Sequence, residues 1–139
     1  MLIVALLGLF VACDGRRPTV GSPESVDEAS IDNVWHKAKL RGVSFRAIGQ
    51  EPGWLLEITT GKEILLVTDY GQTRSRFPYV EPIVYQGERR TEYILDAYGT
   101  MVEIRGEACR DVMSGEEFSV SVTIQQADRS LQGCGRALH

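Results

Sequence analysis

The stretch that decides the fold lies near the end of the chain and reads Phe118-Ser119-Val120-Ser121-Val122-Thr123-Ile124-Gln125. Apolar and polar residues alternate along it, and successive side chains of a β-strand point to opposite faces. The pattern therefore predicts a strand with one dry face and one wet face, in a sheet that covers a core on one side.

Seven other segments between residues 43 and 137 have the short length and the turn-bounded composition of strands. They cover residues 43–48, 54–60, 63–69, 77–85, 91–98, 100–106 and 131–137. Because brief turns join most of them and no crossover helix separates them, the succession favours antiparallel neighbours. We predict a mainly β fold, a small antiparallel up-and-down β-barrel of about eight strands, lipocalin-like, with a two-sheet sandwich as the alternative.

The segment 77–85 differs from the others because it contains Pro78 and Pro82. Proline has no amide hydrogen to donate to a sheet. This segment is therefore expected to form an edge, a rim or a partly irregular strand.

One N-terminal helix is expected before the strands, over about 26–40. Ser25 and Glu28 have the spacing of a capping box, and apolar residues recur at helical spacing from Ile31 to Ala38. Gly42 then supplies a stop. We expect the apolar face of this helix to cover one end of the barrel as a lid or plug.

The first twelve residues are uncharged, and they are too few for the roughly 20 residues of a membrane-spanning helix. They are typical of the apolar region of an export signal, and Phe10-Val11-Ala12-Cys13 resembles a bacterial lipobox. The resemblance implies cleavage before Cys13 and lipidation of its sulfur; an ordinary secreted protein is the alternative.

This interpretation divides the chain into three parts. Residues 1–12 would be a lipoprotein signal peptide, residues 13–25 a flexible tether rich in Gly, Pro and polar residues, and residues 26–139 a single β-barrel domain with its helix. The domain would be anchored by lipid to the bacterial cell envelope and face the periplasm, at either the inner or the outer membrane.

Two cysteines remain in the predicted domain, Cys109 and Cys134. An even pair in an oxidising compartment predicts one disulfide, and closing a loop of this length would contribute about 3.5 kcal/mol in the chain-entropy model. A zinc site is the alternative, but the only histidines are His36 and His139, and no second cysteine lies at metal-ligand spacing from either one. No metal or other cofactor is expected.

Two longer motifs carry a resemblance to a known family. The first is 45–54, Phe-Arg-Ala-Ile-Gly-Gln-Glu-Pro-Gly-Trp, and the second runs from Cys109-Arg-Asp-Val-Met-Ser-Gly to Gly133-Cys134. Together they resemble a family of uncharacterised bacterial envelope lipoproteins that share Phe-Arg-Ala-x-Gly-x-Glu-Pro-x-Trp and Cys-x-Asp-x-Met-Ser to Gly-Cys. The resemblance covers about 45–138 and implies no activity.

Three residues of the first motif are candidates for a binding or a structural role. Glu51 lies in a turn with a proline and a glycine, and Trp54 begins a strand. The structural interpretation is that Trp54 closes the core while Glu51 caps backbone amides and pairs with Arg46. The functional alternative is that Glu51 contacts a ligand.

Three residues of the second motif form the other candidate group. Asp111 and Ser114 are expected to hydrogen-bond the backbone near the disulfide, with Met113 inserted into apolar space. The functional alternative is that this loop, held by the disulfide, presents a binding edge to a partner.

A further possible recognition surface consists of tyrosines and neighbouring arginines. Its members are Tyr79, Tyr85, Tyr93, Tyr98, Arg89 and Arg90. Tyrosine and arginine are enriched at interfaces. The alternative, which we favour, is that these tyrosines occupy ordinary half-buried strand positions.

The composition and motifs bear on the class of function. A net charge of -4 argues against binding of nucleic acid, which needs a strongly basic face. No Gly-x-Ser-x-Gly elbow is present, and no catalytic residues are expected. The sequence favours a non-enzymatic binding or envelope-maintenance module whose partners are the membrane, through the lipid anchor, and an envelope protein or a cell-wall component.

Two alternatives for the function stay open at this point. One is a lysozyme-inhibitor-like protein, since membrane-bound inhibitors are also small, disulfide-bonded, lipid-anchored barrels, which is an analogy of fold alone. The other is a lipocalin-like carrier of a small apolar ligand, against which large inward residues such as Trp54 argue.

Overall fold

The computed structural model describes residues 28–97 and 99–139. In this part of the chain one α-helix precedes eleven strands, and single 3-10 turns lie at Asp69–Gly71 and Gln86–Glu88. The helix α1 is Glu28–Leu40, and the strands are β1 Phe45–Gly49, β2 Trp54–Thr59, β3 Glu63–Thr68, β4 Thr73–Pro78, β5 Ile83–Tyr85, β6 Arg90–Ile94, β7 Met101–Arg105, β8 Cys109–Arg110, β9 Glu117–Phe118, β10 Val120–Gln125 and β11 Ser130–Ala137. The predicted capping box at Ser25 lies outside the described residues.

Nine of these strands form one antiparallel sheet in the order β4-β3-β2-β1-β11-β10-β7-β6-β5, while β8 and β9 form a separate two-stranded ribbon. Neighbours in the sheet are also neighbours along the chain, apart from the excursion into the ribbon and the pairing of the last strand with the first. This is the connectivity of an up-and-down barrel, curled into a half-barrel that is open between β4 and β5. The predicted mainly β, barrel-like fold with one helix is confirmed.

The opening of the half-barrel follows from two prolines. Pro78 is the last residue of β4 and Pro82 directly precedes β5, so each removes an amide donor where these strands would begin to pair. The chain between them crosses the opening, and Tyr79 and Val80 pack against the core there. The expectation of an edge is confirmed, but the single predicted strand 77–85 is wrong, because it is divided between β4 and β5.

The concave side of the sheet holds the main hydrophobic core. The largest fully buried side chains all belong to it: Leu56, Ile58, Ile64, Leu66, Val102, Val122 and Ile124. Trp54 joins them with 5% of its surface exposed, and its indole N–H donates to the carbonyl of Gln132 at 3.2 Å. Trp54 therefore closes the core, as the sequence predicts.

Two glycines make room for the Trp54 ring. A Cβ atom on Gly133 would lie 2.6 Å from Cζ2 of Trp54 and would also collide with the carbonyl oxygen of Ile48, and a Cβ on Gly49 would overlap the indole. Gly135 lies similarly close to Ala47 and Phe45. Glycine is therefore required at these positions of β11, since the ring and the β1 backbone occupy the space where side chains would stand.

The helix packs on the outside of the sheet. Trp35 and Ala38 form a second buried cluster with residues such as Phe118 and Leu138, and Ile48 and Cys134 contact it from β1 and β11. Because side chains alternate along a strand, Ile48 and Cys134 point away from the core that Ala47 and Leu131 enter. The prediction that the helix caps one end of the barrel is wrong; its apolar face covers β1 and β11 from outside.

A buried ion pair lies beneath this helix. The guanidinium of Arg46 donates to the carboxylate of Glu57, and the two residues are 9% and 7% exposed. Arg41 donates to the same carboxylate at 2.8 Å. Burial lowers the pKa of Arg46 from its ordinary value, although the neighbouring Glu57 acts in the opposite direction.

The ring of Trp35 lies against two guanidinium groups. Arg46 is 5.2 Å and Arg136 is 4.6 Å from a ring centroid of Trp35, and Arg136 also contacts Phe118. A cation over an aromatic ring is attracted by the negative face of the ring, and the attraction is stronger where water is excluded. The helix is therefore held by apolar burial and by cation–π contacts together.

The strand predicted over 118–125 is interrupted near its start. Val122 and Ile124 enter the core as predicted, but Phe118 belongs to β9, pairs with Cys109 of β8 and packs on Trp35 at the outer face. The chain bends at Ser119 between β9 and β10. The expectation that Phe118 shares a face with Val120 is wrong, because the ribbon to which it belongs is fastened to the outside of the sheet.

Substitution of Gly133 by alanine tests the close packing around Trp54. We expect Gly133→Ala to lower the free energy of unfolding by about 2 kcal/mol, because the added methyl must displace the ring or the β1 backbone. Urea titration followed by tryptophan fluorescence measures the change. Gly87→Ala is the matched control, since a Cβ there meets nothing within 4 Å, and it should shift the value by less than about 1 kcal/mol. Equal effects of the two variants would contradict the packing.

A second variant tests the buried ion pair. Glu57→Gln removes the negative charge that faces Arg46 and Arg41 and leaves the buried guanidinium of Arg46 without a carboxylate partner. We expect this to lower the free energy of unfolding by about 3 kcal/mol. Glu117→Gln breaks the exposed pair with Arg110 and should cost less than about 1 kcal/mol. The same urea titration distinguishes them, and a loss below about 1 kcal/mol for Glu57→Gln would refute the role given to the pair.

Candidate functional site

The disulfide joins Cys109 of β8 to Cys134 of β11, with the two Cα atoms 5.6 Å apart. It agrees with the pairing predicted from the sequence. Because β8 pairs with β9, the bond fastens the whole ribbon to the outer face of the sheet. The disulfide therefore fixes the position of the loop that the ribbon carries.

This loop, residues 111–116, is named here the Asp111 loop. Asp111 is 6% exposed, and its carboxylate accepts hydrogen bonds from the backbone N–H and the hydroxyl of Ser114 at 2.9 and 2.7 Å. The backbone closes the loop, since the N–H of Asp111 donates to Glu116 and the N–H of Gly115 donates to Asp111. The predicted hydrogen bonding of Asp111 and Ser114 is confirmed, and together with the backbone bonds it joins the two ends of the loop.

The tip of the Asp111 loop presents two apolar side chains to solvent. Val112 is 85% exposed and Met113 is 69% exposed. The expectation that Met113 inserts into apolar space is wrong. The hydrogen bonds of Asp111 turn residues 112 and 113 outward, and Phe118 and Trp35 already fill the apolar space beneath the ribbon.

Two grooves flank the Asp111 loop. An apolar groove of about 470 Å³ lies between Met113 and the helix, with Trp35 and Ile48 among its lining residues. A groove of mixed polarity, of about 460 Å³, lies on the other side, lined by residues that include Glu51, Val122 and Gln132. Asp111 and Gln50 line both grooves, so the loop forms the ridge between them.

The structure separates the three candidates of the first motif. Arg46 lies on the outer face under the helix, Trp54 lies in the core, and Glu51 is exposed in the turn between β1 and β2. The pairing of Arg46 with Glu51 is wrong, because the antiparallel register places Arg46 opposite Glu57. The side chain of Glu51 makes no hydrogen bond within residues 28–97 and 99–139, so the expected capping is not observed either. Glu51 is near the Asp111 loop only as a lining residue of the groove of mixed polarity.

Sequence reasoning missed two residues of the outer face. Glu57 interrupts the apolar run of β2, and this buried charge is the signal that could have identified it as the partner of an arginine. Arg136 follows the Gly133-Cys134-Gly135 sequence and pairs with Glu116 of the Asp111 loop. Arg136 thus connects the loop to β11 independently of the disulfide.

The tyrosine and arginine residues do not form a single exposed surface. Tyr79 and Tyr93 contact each other, with ring centroids 6.4 Å apart, and both pack against the core. Tyr85 lies under the guanidinium of Arg90, 3.8 Å from ring centroid to Cζ. Tyr98 lies outside the described residues. For the three tyrosines that are described, the half-buried interpretation is confirmed.

Some of the sequence predictions concern residues outside this description. Cys13, the signal peptide and the tether all precede residue 28. Within the described ranges, no group of three or more His, Cys, Asp or Glu side chains is placed to hold a metal ion. No helix of the described chain has the length and hydropathy needed to span a membrane.

Comparison of the chain with models of protein families, with curated proteins and with solved structures found no match.

Proposed function

We propose that this protein is a lipid-anchored module of the bacterial cell envelope that binds a protein partner through the Asp111 loop, without catalysing a reaction. The observation that carries the proposal is the exposure of Val112 and Met113 at the tip of a loop that is closed by hydrogen bonds and fastened at its base by the disulfide. The lipid anchor rests on the sequence around Cys13.

The exposed side chains of Val112 and Met113 support binding because the loop that carries them is held by its own hydrogen bonds and by the disulfide. Adjacent large apolar side chains in a flexible loop could fold back on the nearest apolar surface and leave water. The hydrogen bonds to Asp111 and the disulfide at Cys109 oppose this, because they constrain the backbone on both sides of Val112 and Met113. A preorganised loop loses little conformational entropy when a partner covers it.

The surroundings of the loop favour a protein as the partner. The apolar groove of about 470 Å³ next to Met113 is open to an incoming side chain, with the partly buried Ile48 and the exposed Met113 in its lining. Aromatic residues and Met are enriched in the buried centres of protein interfaces. An apolar side chain of the partner in this groove, with Val112 and Met113 against the partner surface, would form such a centre.

The interior of the sheet gives less support to the alternative of an apolar-ligand carrier. Seven large side chains that are fully buried occupy the concave side, together with Trp54. These side chains take up the space on the concave side where an apolar ligand would have to lie. We therefore place binding on the outer surface.

Substitution of Cys13 tests the anchor. Cys13→Ala should lose the acyl label in cells fed an alkyne-tagged fatty acid, and the protein should leave the salt-washed membrane fraction, because each buried methylene contributes about 0.8 kcal/mol to membrane binding. Ser22→Ala, a change in the predicted tether, should keep both label and location. Unchanged acylation and membrane association of Cys13→Ala would contradict the anchor.

A photo-crosslinking residue in the Asp111 loop tests the binding surface. Placed at Val112 of the full chain in living cells, it should give one discrete adduct with a protein, whereas the same residue at Leu40, an equally apolar position that is 73% exposed on the helix, should give none of that species. Adding Met113→Asp should weaken the interaction about tenfold or more, as expected for an interface anchor, and reduce the adduct accordingly. No adduct at Val112, or the same adducts at Leu40, would overturn the proposal.

A further inference from the structure

A third groove, on the outer face of β2, β3 and β4, has a different chemistry from the two beside the Asp111 loop. It has a volume of about 340 Å³, and four cationic side chains line it: Arg41, Lys62, Arg74 and Arg76. Two carboxylates, those of Glu57 and Glu63, line it as well. We name it the cationic groove, and we propose that it binds a phosphate group.

The ion pairs of the groove leave positive charge unbalanced. Arg41 pairs with Glu57 and Arg76 pairs with Glu63, at 2.8 and 2.6 Å. Lys62 and Arg74 have no carboxylate partner within residues 28–97 and 99–139. The lining therefore carries an excess of two positive charges on a chain whose net charge is -4.

The carboxylate of Glu57 also pairs with Arg46, which does not line the groove. Arg46 donates to it from the outer face of β1, so one negative charge serves two guanidinium groups. Glu57 is therefore not available to neutralise Lys62 or Arg74. A phosphate monoester, which carries about -1.5 to -2 charges at neutral pH, matches the excess charge of the groove.

The shape of the groove suits a small anion. Val43, Glu57 and Leu65 are buried and form its floor, while the four cations are exposed and form its rim. Arg74 and Arg76 are two residues apart on β4, so their side chains leave the same face of the sheet about 7 Å apart. Arginine binds phosphate oxygens with paired, charge-assisted hydrogen bonds, and the Thr59 hydroxyl lines the groove as a neutral donor.

This site is distinct from the Asp111 loop. No residue lines both the cationic groove and either groove beside the loop. The phosphate group is either that of a soluble phosphate compound, whose charge of about -1.5 to -2 matches the excess of the groove, or that of a phospholipid headgroup, a diester whose single charge balances one of the two unpaired cations. The proposal does not depend on the proposed function of the loop.

Titration with inorganic phosphate is the test. The full chain, labelled with ¹⁵N and held in a non-ionic detergent, is titrated and followed by backbone amide shifts. We expect saturable shifts clustered over residues 59–76, weakened by sodium chloride because exposed charges are screened. Arg74→Gln and, separately, Lys62→Gln should each weaken binding about tenfold or more. Arg110→Gln, which removes an exposed arginine outside the cationic groove, should leave the affinity unchanged.

A second experiment distinguishes a soluble phosphate compound from a phospholipid headgroup as the source of the phosphate group. The full chain is placed in bilayer discs that contain phosphatidylglycerol, without added phosphate. Shifts of the same residues, lost in Arg74→Gln, would identify a lipid headgroup as the ligand. Their absence, with saturable binding in the first experiment, would identify a soluble phosphate compound. Shifts in neither experiment, shifts spread over all exposed cations, or equal binding by Arg74→Gln and Arg110→Gln would overturn the proposal.

Discussion

The pairing of β11 with β1 is the constraint on which the rest of the structure depends. It joins the last strand to the first and places Ile48 opposite Cys134 and Ala47 opposite Gly135. On the inner side the missing side chains of Gly133 and Gly135 admit Trp54 and Phe45. On the outer side the same two strands carry the helix and, through Cys134, the ribbon. Because these contacts join residues far apart in the chain, ordering them costs loop-closure entropy that must be recovered from dense packing.

The outer face of the sheet is organised around charge as much as around apolar burial. Across β11, β1 and β2 the register aligns Arg136, Arg46 and Glu57 in one row, and Trp35 covers the two arginines. Buried charges add little net stability over apolar residues of the same size, but they penalise arrangements that leave a charge unpaired. Trp35 places the helix over this row, and the Asp111 loop is joined to the same row through the pair of Arg136 with Glu116.

The parts of the fold that the sequence predicts are those in which one local pattern dominates. Alternation identifies β10, helical spacing identifies α1, and the count of cysteines identifies the disulfide. Most of strand β4 is missed because it borders the opening of the half-barrel. Its inner face carries the small polar residues Thr73 and Ser75, and Phe77 is its only large apolar residue, so it lacks the apolar alternation that identifies a strand. The arrangement of the candidate site depends on register: once the turn between Gly49 and Trp54 is known, Arg46 must face Glu57 rather than Glu51. The outward position of Met113 depends on hydrogen bonds of the Asp111 loop that composition does not reveal.

The opening between β4 and β5 also bears on how copies of this protein behave together. The N–H of Tyr79 donates to the carbonyl of Lys62, in register with the pairing of β3 and β4. Because backbone groups of successive residues point to opposite sides of a strand, those of Arg74 and Arg76 point to the free edge, where another strand could add. Edges of this kind are sites of aggregation unless they are protected. Pro78 interrupts the row of donors, and the charges of Arg74 and Arg76 would repel the same edge of a second copy. A barrel left unclosed therefore carries, in its own edge residues, a bias against adding the same edge of a second copy to its sheet.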